Sequence, residues 1–200
     1  MDRLNRIYLV RHGQVSAFDR HPIYGHTDVD ITKVGRSQME RLADRLCLTD
    51  IKAIYCSDLK RSLLGARIIS RNHDVPLIPL STLREMSFGD WEGLTLEEVC
   101  HRYPEEIKKR QENLLHFRPS GDSESVATFS KRILACYNQI LAEQKGHDIL
   151  IVAHGAVNRI ILCQALQLDF SHMFRLQQDY GCLNIVDYYA DSALVRLVNG

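Results

Sequence analysis

The sequence predicts an α/β fold, a three-layer α/β/α sandwich whose mainly parallel sheet has an antiparallel edge. Short apolar runs of strand length alternate with helix-periodic segments throughout the 200 residues, which favours parallel strands joined by helices. Residues 7–10 and 149–152 are continuously apolar, as strands buried on both faces are. Two strand-like segments, 183–189 and 194–198, are joined by a turn at 190–192 and predict the antiparallel edge.

Length and composition indicate a single domain over residues 1–200. A chain of this size buries about 70% of the surface that its unfolded state exposes, so it needs no disulfide or metal for stability. The 25 Lys and Arg residues balance the 25 Asp and Glu residues, and the formal net charge is +0. Because both signs are spread along the chain, neither nucleic acid nor a membrane is an expected partner. Any positive potential must be local.

Nothing in the sequence predicts export or membrane insertion. The apolar run before Arg11 has four residues, which is too short for a signal peptide, and no run reaches transmembrane length. We therefore expect a cytoplasmic protein. The six cysteines are dispersed, and we interpret all of them as reduced core residues rather than as disulfide or zinc partners: Cys47, Cys56, Cys100, Cys136, Cys163 and Cys182.

Helix caps organise the first half of the chain. Thr32 is the predicted N-cap of the first helix, and Ser57 or Asp58 is expected to cap the second. Between the first strand and Thr32 lies an irregular loop that is long enough to line a site. The predicted elements are a loop at 14–31, a helix at 33–47, a strand at 53–56, a helix that ends near 73, and a strand at 77–80.

In the second half, Thr95 and Glu98 have the spacing of a capping box, and Pro104 ends the helix that they begin. A longer helix is expected to start at Asp122 or Ser123 and to stop before Gly146. The charged stretch in between has no clear element, and we predict that 90–125 forms a lid or subdomain over the site. The remaining elements are a strand at 149–152 and a helix at 156–166.

Two strands end in the same residue pair. Arg11, His12 and Gly13 follow the first strand, and His154 and Gly155 follow the strand at 149–152. Ligands of open α/β sheets bind beyond the carboxyl ends of the strands, so both imidazoles are expected at one sheet edge. Either histidine alone could simply satisfy a backbone carbonyl. The pair, with an adjacent arginine, favours function.

Two further charged residues are predicted at this edge. Arg61 falls in the first turn of the second helix, where anions bind, although a surface charge is the alternative. Glu85 follows the strand at 77–80; Asp90 and Glu92 are nearby carboxylates that could be mistaken for it. On the simpler interpretation all three are turn residues.

Together these groups suit a phosphoryl ligand. Guanidinium groups donate paired hydrogen bonds to its oxygens, an uncharged imidazole can attack phosphorus, and one carboxyl can donate and later accept a proton. Two histidines and a carboxylate also form a known metal triad, but permanently charged Arg11 and Arg61 would repel a divalent ion. A serine hydrolase is excluded because the Gly121–Ser125 stretch lacks the second glycine of the nucleophile elbow.

The blocks resemble the histidine phosphatase superfamily in its phosphoglycerate-mutase-like branch. Residues 9–13, Leu-Val-Arg-His-Gly, are similar to its signature. Further blocks at 57–62, 83–85, 88–93 and 152–155 follow in the family's order. A second segment of the family is matched at Gly25, Asp28, Thr32, Gly35 and Gln38, with Ile31 in place of Leu.

The resemblance implies a phosphoglycerate-mutase-like fold and a reaction through phosphohistidine at His12. It implies that Arg11, Arg61 and His154 hold the phosphoryl oxygens, that Glu85 is the proton donor and acceptor, and that neither a metal nor an organic cofactor is needed. The expected partner is a small phosphorylated metabolite. A homodimer is an open expectation of oligomeric state.

The loop after His-Gly departs from the family. Relatives carry a Ser or Thr and then Trp-Asn, whose Asn touches phosphate, whereas this chain has Val15, Ala17 and Phe18. Asp19 or His21 could replace that contact if the loop shifts. Gly13 and Gly155 are expected to let the backbone approach the substrate. Phe18, Tyr24, Trp91 and Phe117 are candidates for an apolar wall around a nucleoside-like leaving group, although each singly suits ordinary packing.

The choice between mutase and phosphatase depends on length. Mutases of the family carry a longer insertion before the second His-Gly, so this chain resembles the phosphatases, among them the α-ribazole phosphatases of cobalamin synthesis. A phosphomonoesterase is therefore the predicted function. The alternatives are a phosphoglycerate-type mutase and a catalytically idle relative that binds phosphorylated ligands or partner proteins.

Overall fold

A six-stranded mixed sheet forms the centre of the chain. In the computed structural model, which describes residues 2–16 and 20–200, the strand order is β3-β2-β4-β1-β5-β6. The first four strands in this order are parallel, whereas β5 is antiparallel to β1 and to β6. This confirms the predicted sheet with its antiparallel edge. The strands are β1 (Asn5–Arg11), β2 (Ile51–Ser57), β3 (Leu77–Leu80), β4 (Asp148–Ala153), β5 (Leu183–Tyr188) and β6 (Ala193–Leu197).

Helices cover both faces of the sheet, which explains why its central strands are continuously apolar. Along β1, Ile7 and Leu9 pack toward one pair of helices, and Tyr8 and Val10 pack toward the other pair. The first pair is α5 and α6, and the second is α1 and α2. The helices are α1 (Lys33–Leu46), α2 (Lys60–Ser70), α3 (Leu96–Arg102), α4 (Pro104–Glu112), α5 (Val126–Glu143) and α6 (Gly155–Leu166).

Helix caps are partly as predicted. Thr32 caps α1 by accepting from the Gly35 amide, and Thr95 forms its capping box. The prediction for α2 is wrong, since its N-cap is Leu59, which has no side-chain cap. Instead the Asp28 carboxylate accepts from the Lys60 amide at 2.8 Å. A cap supplied from another segment leaves no local signal in the sequence.

The start of α5 was also predicted too early. Its N-cap is Ser125, which forms a capping box with Thr128, rather than Asp122 or Ser123. The Ser123 hydroxyl instead donates to the Pro119 carbonyl, and the backbone of Ser123 bridges to Phe88. Asp122, Ser123 and Ser125 all carry a side-chain oxygen that can cap a helix, and the tertiary contacts decide which of them does so.

The segment 90–125 contains the short helices α3 and α4, so the charged stretch is helical over Pro104–Glu112. Trp91 anchors this segment through two contacts and is 2% exposed. Its Nε1 donates to Glu106 Oε2 at 2.9 Å, and its ring centroid lies 5.5 Å from that of Phe117. Both aromatic side chains therefore serve packing here. The lid role of the segment stays a prediction.

The interpretation of all six cysteines as core residues is wrong for two of them. Cys47 and Cys100 are exposed, while the other four are buried, and all six thiols are free. Cys47 follows directly after α1, where the chain turns toward solvent. Within residues 2–16 and 20–200, no helix is both long and apolar enough to cross a membrane.

Gly13 is needed for packing between backbones, a reason that the sequence did not suggest; its approach to the substrate stays a prediction. A Cβ atom at position 13 would lie 2.3 Å from the carbonyl oxygen of Gly35 at the start of α1. We expect Gly13→Ala to lower the free energy of unfolding by about 2 kcal/mol, because rigid backbone must move apart. Urea unfolding measures the change. Gly65→Ala is the control, since its Cβ would meet only the flexible end of Met39; equal stability of the two variants would contradict this account.

Candidate active site

The two histidines meet because β1 and β4 are neighbouring parallel strands. The register pairs Arg11 with Ala153, so His12 and His154 leave the sheet at the same height. Their ring centroids are 5.1 Å apart. His12 is 4% exposed and His154 is fully buried. The sequence prediction that both imidazoles reach one sheet edge is therefore confirmed.

Hydrogen bonding fixes the tautomer of His12. Its Nδ1 lies 2.8 Å from the carbonyl oxygen of Gly13. Since a carbonyl only accepts, Nδ1 carries the proton and Nε2 keeps its lone pair. Burial lowers the pKa of His12 well below its ordinary value, and the charges of Arg11 and Arg61 lower it further. The imidazole is consequently neutral, with its lone pair on Nε2.

His154 has a different environment. Both of its ring nitrogens are buried and have no hydrogen-bond partner among the described residues. Burial lowers its pKa well below the ordinary value, with Arg61 and His12 adding to the effect. The simpler interpretation, that a strand-end histidine satisfies a backbone carbonyl, thus fails for His154. A buried imidazole with no partner is costly unless a ligand supplies one.

Arg11 is held by two contacts, and its Nε donor stays unused. Its guanidinium lies over the ring of Tyr180 at 3.9 Å, and its Nη1 donates to the Gln178 carbonyl at 2.5 Å. The Nε atom is buried and has no partner in the described part of the chain. A Cβ atom at Gly155 would lie 3.5 Å from this Nε, so the unused donor lies beside the residue that follows His154.

Arg61 comes from the first turn of α2, as predicted, and is 1% exposed. Its Nη1 donates to the Thr27 carbonyl and its Nη2 to the Gly25 carbonyl, each at 2.7 Å. Burial lowers its pKa, while the carboxylate of Glu85 acts in the opposite direction. The loop at 25–27 thus orients a buried cation toward the histidines.

Glu85 lies against the start of α6. Its Oε2 accepts from the Ala156 amide at 3.1 Å and its Oε1 accepts from the Met86 amide at 3.0 Å. This brings the carboxylate next to His154, because α6 begins at Gly155. The Glu85 carbonyl is itself held by Arg132 at 3.2 Å and lies 3.0 Å from His26 Nε2. The backbone around Glu85 is therefore fixed.

The two neighbouring carboxylates serve the loops. Glu92 accepts from the backbone amides of His26, Thr27 and Phe88, and from the Thr27 hydroxyl. Asp90 packs against the backbone of Gly121. Both are turn residues, in agreement with the simpler interpretation, and Glu85 is the carboxylate beside the histidines.

The remaining predicted residues have mixed outcomes. The hydroxyl of Tyr24 donates to the Ser16 carbonyl at 2.8 Å and so braces the loop after β1. Gly155 is buried between Arg11 and Arg159, whose Nη1 would lie 3.1 Å from a Cβ there. The predictions for Ala17, Phe18 and Asp19 lie outside the described residues. His21 is exposed and has a positive φ of 49°.

Three residues near the site were not predicted. Tyr180 packs on Arg11, with its ring centroid 5.5 Å from that of His12. Gln178, in the same segment, is bonded to the buried amides of Asn158 and Asn184. Arg159 was predictable from its spacing, because it lies four residues after Gly155 and so shares its helix face.

The geometry defines the class of protein. Several groups converge at the carboxyl ends of β1 and β4: a neutral imidazole, guanidinium and imidazole nitrogens without partners among the described residues, and a fixed carboxylate. This combination suits the binding and transfer of phosphoryl groups. Among residues 2–16 and 20–200, no three His, Cys, Asp or Glu side chains converge as metal ligands. The fold and site thus define an α/β/α enzyme of phosphoryl transfer.

Comparison with known proteins gives the family. Residues 7–200 match the profile of the histidine phosphatase superfamily (branch 1). The chain belongs to this superfamily and is a phosphatase.

Individual relatives agree with this assignment. Phosphoglycerate mutase-like protein 4 of Arabidopsis thaliana is 34% identical over 76% of this chain and 67% of its own length. The adenosylcobalamin/alpha-ribazole phosphatase of Salmonella typhimurium is 26% identical over 97% of this chain and 96% of its own. Phosphoserine phosphatase 1 of Hydrogenobacter thermophilus is 27% identical over 90% of this chain and 82% of its own.

A solved structure gives the same result. The alpha-ribazole phosphatase from Shigella flexneri superimposes with a TM-score of 0.89 at 26% identity and covers 98% of this chain and 96% of that chain. The predicted phosphoglycerate-mutase-like fold is thereby confirmed.

Proposed function

We propose that this phosphatase is a metal-independent phosphomonoesterase that forms a phosphohistidine at His12. The observation that carries the proposal is the hydrogen bond from His12 Nδ1 to the Gly13 carbonyl, because it leaves the lone pair of Nε2 available to attack phosphorus. The depressed pKa of His12 supports it further, since only the neutral imidazole is a nucleophile. Arg11, Arg61 and His154 would hold the phosphoryl oxygens.

In the first step His12 Nε2 forms a bond to phosphorus while the bond from phosphorus to the ester oxygen breaks. The leaving oxygen takes a proton from the carboxyl group of Glu85 and departs as an alcohol. Glu85 suits this role because its backbone is clamped and its carboxyl lies at the start of α6 beside His154. Arg11 and Arg61 balance the charge that spreads over the phosphoryl oxygens.

In the second step water attacks the phosphorus of the phosphohistidine. Glu85, now a carboxylate, accepts a proton from that water as the bond from phosphorus to nitrogen breaks. Inorganic phosphate leaves, and both His12 and Glu85 return to their starting forms. The net reaction is hydrolysis of one ester bond by one water molecule.

Two ester classes are candidates for the substrate. The relatives named alpha-ribazole phosphatase support α-ribazole 5′-phosphate, a nucleoside-type ester and the first expectation from the sequence. The relative named phosphoserine phosphatase supports a small phosphorylated acid. The notion of an idle binding protein has less support, because a binding site needs neither the free lone pair of His12 nor the placed carboxyl of Glu85.

Release of inorganic phosphate from a panel of monoesters tests the proposal. The panel contains α-ribazole 5′-phosphate, O-phospho-L-serine, 3-phosphoglycerate and p-nitrophenyl phosphate, with EDTA present. We expect turnover that EDTA does not reduce. The proposal would be contradicted if folded protein released phosphate from none of these esters, or if EDTA abolished the activity.

The protonation of the histidines gives a separate prediction. Because burial and nearby arginines lower the pKa of His12 and His154 in the folded chain, both should stay neutral as the pH falls through the ordinary histidine value of about 6.5. Nuclear magnetic resonance of 13C-labelled imidazoles, assigned with His12→Asn and His154→Asn, should show two rings that do not titrate between about pH 7.5 and pH 6.

The sign of the stability effect follows from the same shift. The unfolded chain takes up these protons near pH 6.5 and the folded chain does not, so the free energy of unfolding should fall as the pH drops below about 6.5. Ordinary titration of both rings in the folded protein would contradict the predicted environment.

A further inference from the structure

Two arginines outside the reaction centre flank one exposed aromatic ring. The guanidinium carbons of Arg110 and Arg159 lie 5.3 and 5.7 Å from the ring centroid of Phe174, which is 50% exposed. Arg110 comes from α4, in the segment 90–125, and Arg159 comes from α6. Three distant parts of the chain thus build one cationic cluster, which we name the Arg110–Arg159 cluster.

Neither cation of the cluster has a carboxylate in direct contact within residues 2–16 and 20–200. No ion pair joins Arg110 or Arg159 to a carboxylate. Arg159 Nε donates to the Leu176 carbonyl at 2.8 Å, and its remaining nitrogens are left for other partners. Both side chains are half-buried, and burial lowers the pKa of each. The Glu85 carboxylate acts on Arg159 from beyond ion-pair distance and opposes that lowering, whereas no carboxylate among the described residues acts on Arg110. Two half-buried guanidiniums without a directly paired carboxylate form a candidate anion site.

The cluster adjoins the reaction centre on the side of Glu85. A Cβ atom at Gly155 would lie 3.1 Å from Arg159 Nη1 and 3.5 Å from Arg11 Nε, so the two guanidiniums flank the same point. Met86, the residue after Glu85, lines one small cavity with Arg110 and Phe174. Because Glu85 is the proposed donor to the leaving oxygen, the group attached to that oxygen extends toward this side.

We propose that the Arg110–Arg159 cluster binds a second oxyanion on the leaving group, so that the preferred substrates are phosphorylated acids or bisphosphates. The inference rests on the proposed phosphatase reaction and narrows its substrate class. Arg110 and Arg159 supply the charge, and Phe174 keeps both guanidiniums in place through its ring face. A neutral leaving group, such as the nucleoside of α-ribazole 5′-phosphate, would leave the cluster without a partner.

Matched ester pairs test this directly. O-phospho-L-serine has a carboxylate that O-phosphoethanolamine lacks. In the second pair, 3-phosphoglycerate has a carboxylate where glycerol 3-phosphate has an alcohol. Fructose 1,6-bisphosphate and fructose 6-phosphate differ by a phosphate. We expect the more acidic member of at least one pair to have a kcat/KM about tenfold higher, and the pair in which this occurs tells carboxylate from phosphate.

Variants locate the effect. In Arg110→Gln the ratio of kcat/KM between the acidic ester and its partner should fall to about one. The reason is that the loss of one charge-assisted hydrogen bond lowers kcat/KM by about tenfold. Arg110 donates no hydrogen bond to other described residues, so this variant should fold. Arg159→Lys is the second variant; it keeps the positive charge but loses the planar guanidinium that donates paired hydrogen bonds. Arg118→Gln is the matched control, because Arg118 lies in the same segment but faces the exposed Asp122, and it should keep the full preference.

The outcomes separate this inference from the proposed function. Hydrolysis of p-nitrophenyl phosphate with equal turnover within all three pairs would overturn the inference and leave the phosphatase reaction intact. A preference that survives in both Arg110→Gln and Arg159→Lys would overturn it as well. Absence of turnover for every ester, p-nitrophenyl phosphate included, would overturn the proposed function and this inference with it.

Discussion

Replacement of His12 by alanine is expected to lower phosphate release from every substrate by about 10⁴-fold or more, since no other group can form the covalent intermediate. The neighbouring imidazole cannot substitute, because His154 leaves a different strand and its ring centroid is 5.1 Å away. The measurement is the initial rate of phosphate release under saturating p-nitrophenyl phosphate. The Michaelis constant should change far less than kcat.

Two controls make this result specific. His101→Ala removes an exposed histidine of α3 and should retain the original rate. His12→Asn keeps a polar group at a buried position, so its loss of activity would not arise from unfolding, which circular dichroism and urea unfolding can verify. A His12 variant that retained even a tenth of the rate would rule out the phosphohistidine.

The second large effect is expected at Glu85. Glu85→Gln keeps the shape, and its one carbonyl oxygen can still accept from either the Ala156 amide or the Met86 amide, but it cannot exchange a proton. General acid–base catalysis contributes about 10²–10⁴-fold, so turnover of alkyl phosphates such as 3-phosphoglycerate should fall by that factor. The measurement is kcat/KM across a series of esters.

The dependence on leaving group identifies the role. p-Nitrophenolate departs without a proton, so formation of the phosphoenzyme from p-nitrophenyl phosphate should lose much less than that from an alkyl ester. Stopped-flow release of p-nitrophenolate measures this step alone. Glu92→Gln is the contrasting variant: Glu92 holds the backbone of His26 and Thr27, so its loss should affect all esters equally. An equal loss for all esters in Glu85→Gln would contradict the proton-transfer role.

The arrangement of the two histidines could be predicted because it depends on rules of parallel sheets. Continuous apolar runs identified β1 and β4, and a His-Gly pair after each run placed both rings at one edge. Arg61 followed from the first turn of α2. The two histidines lie where local sequence fixes both the strand and its end, so little tertiary information was needed.

The remaining features depend on contacts that the sequence does not encode locally. Asp28 caps α2 from another segment, and Gly13 is glycine because the backbone of Gly35 passes 2.3 Å from its missing Cβ. Tyr180 follows no recognisable pattern and reaches Arg11 because the chain before β5 folds back across the end of β1, where the Gly181 amide donates to the His12 carbonyl.

The Arg110–Arg159 cluster shows the same limitation. Arg110, Arg159 and Phe174 are separated by 49 and 15 positions, and each alone suits a surface or packing interpretation. With a net charge of +0, composition offers no hint of a cationic region. Only the packing of α4, α6 and the segment Phe170–Arg175 brings them together. The proposed substrate class therefore depends on tertiary packing, whereas the sequence motifs predict the type of reaction.

The most direct test of the account is to identify the phosphorylated residue. Glu85→Gln should slow attack by water, so brief reaction with p-nitrophenyl phosphate, quenching in alkali and mass spectrometry of peptides should reveal a trapped phosphoryl group. The account predicts one acid-labile, alkali-stable phosphoryl group on His12 and none in the Glu85→Gln/His12→Asn double variant. Phosphorylation of His154, or a reaction that releases p-nitrophenolate with no phosphoryl group on the chain, would contradict it.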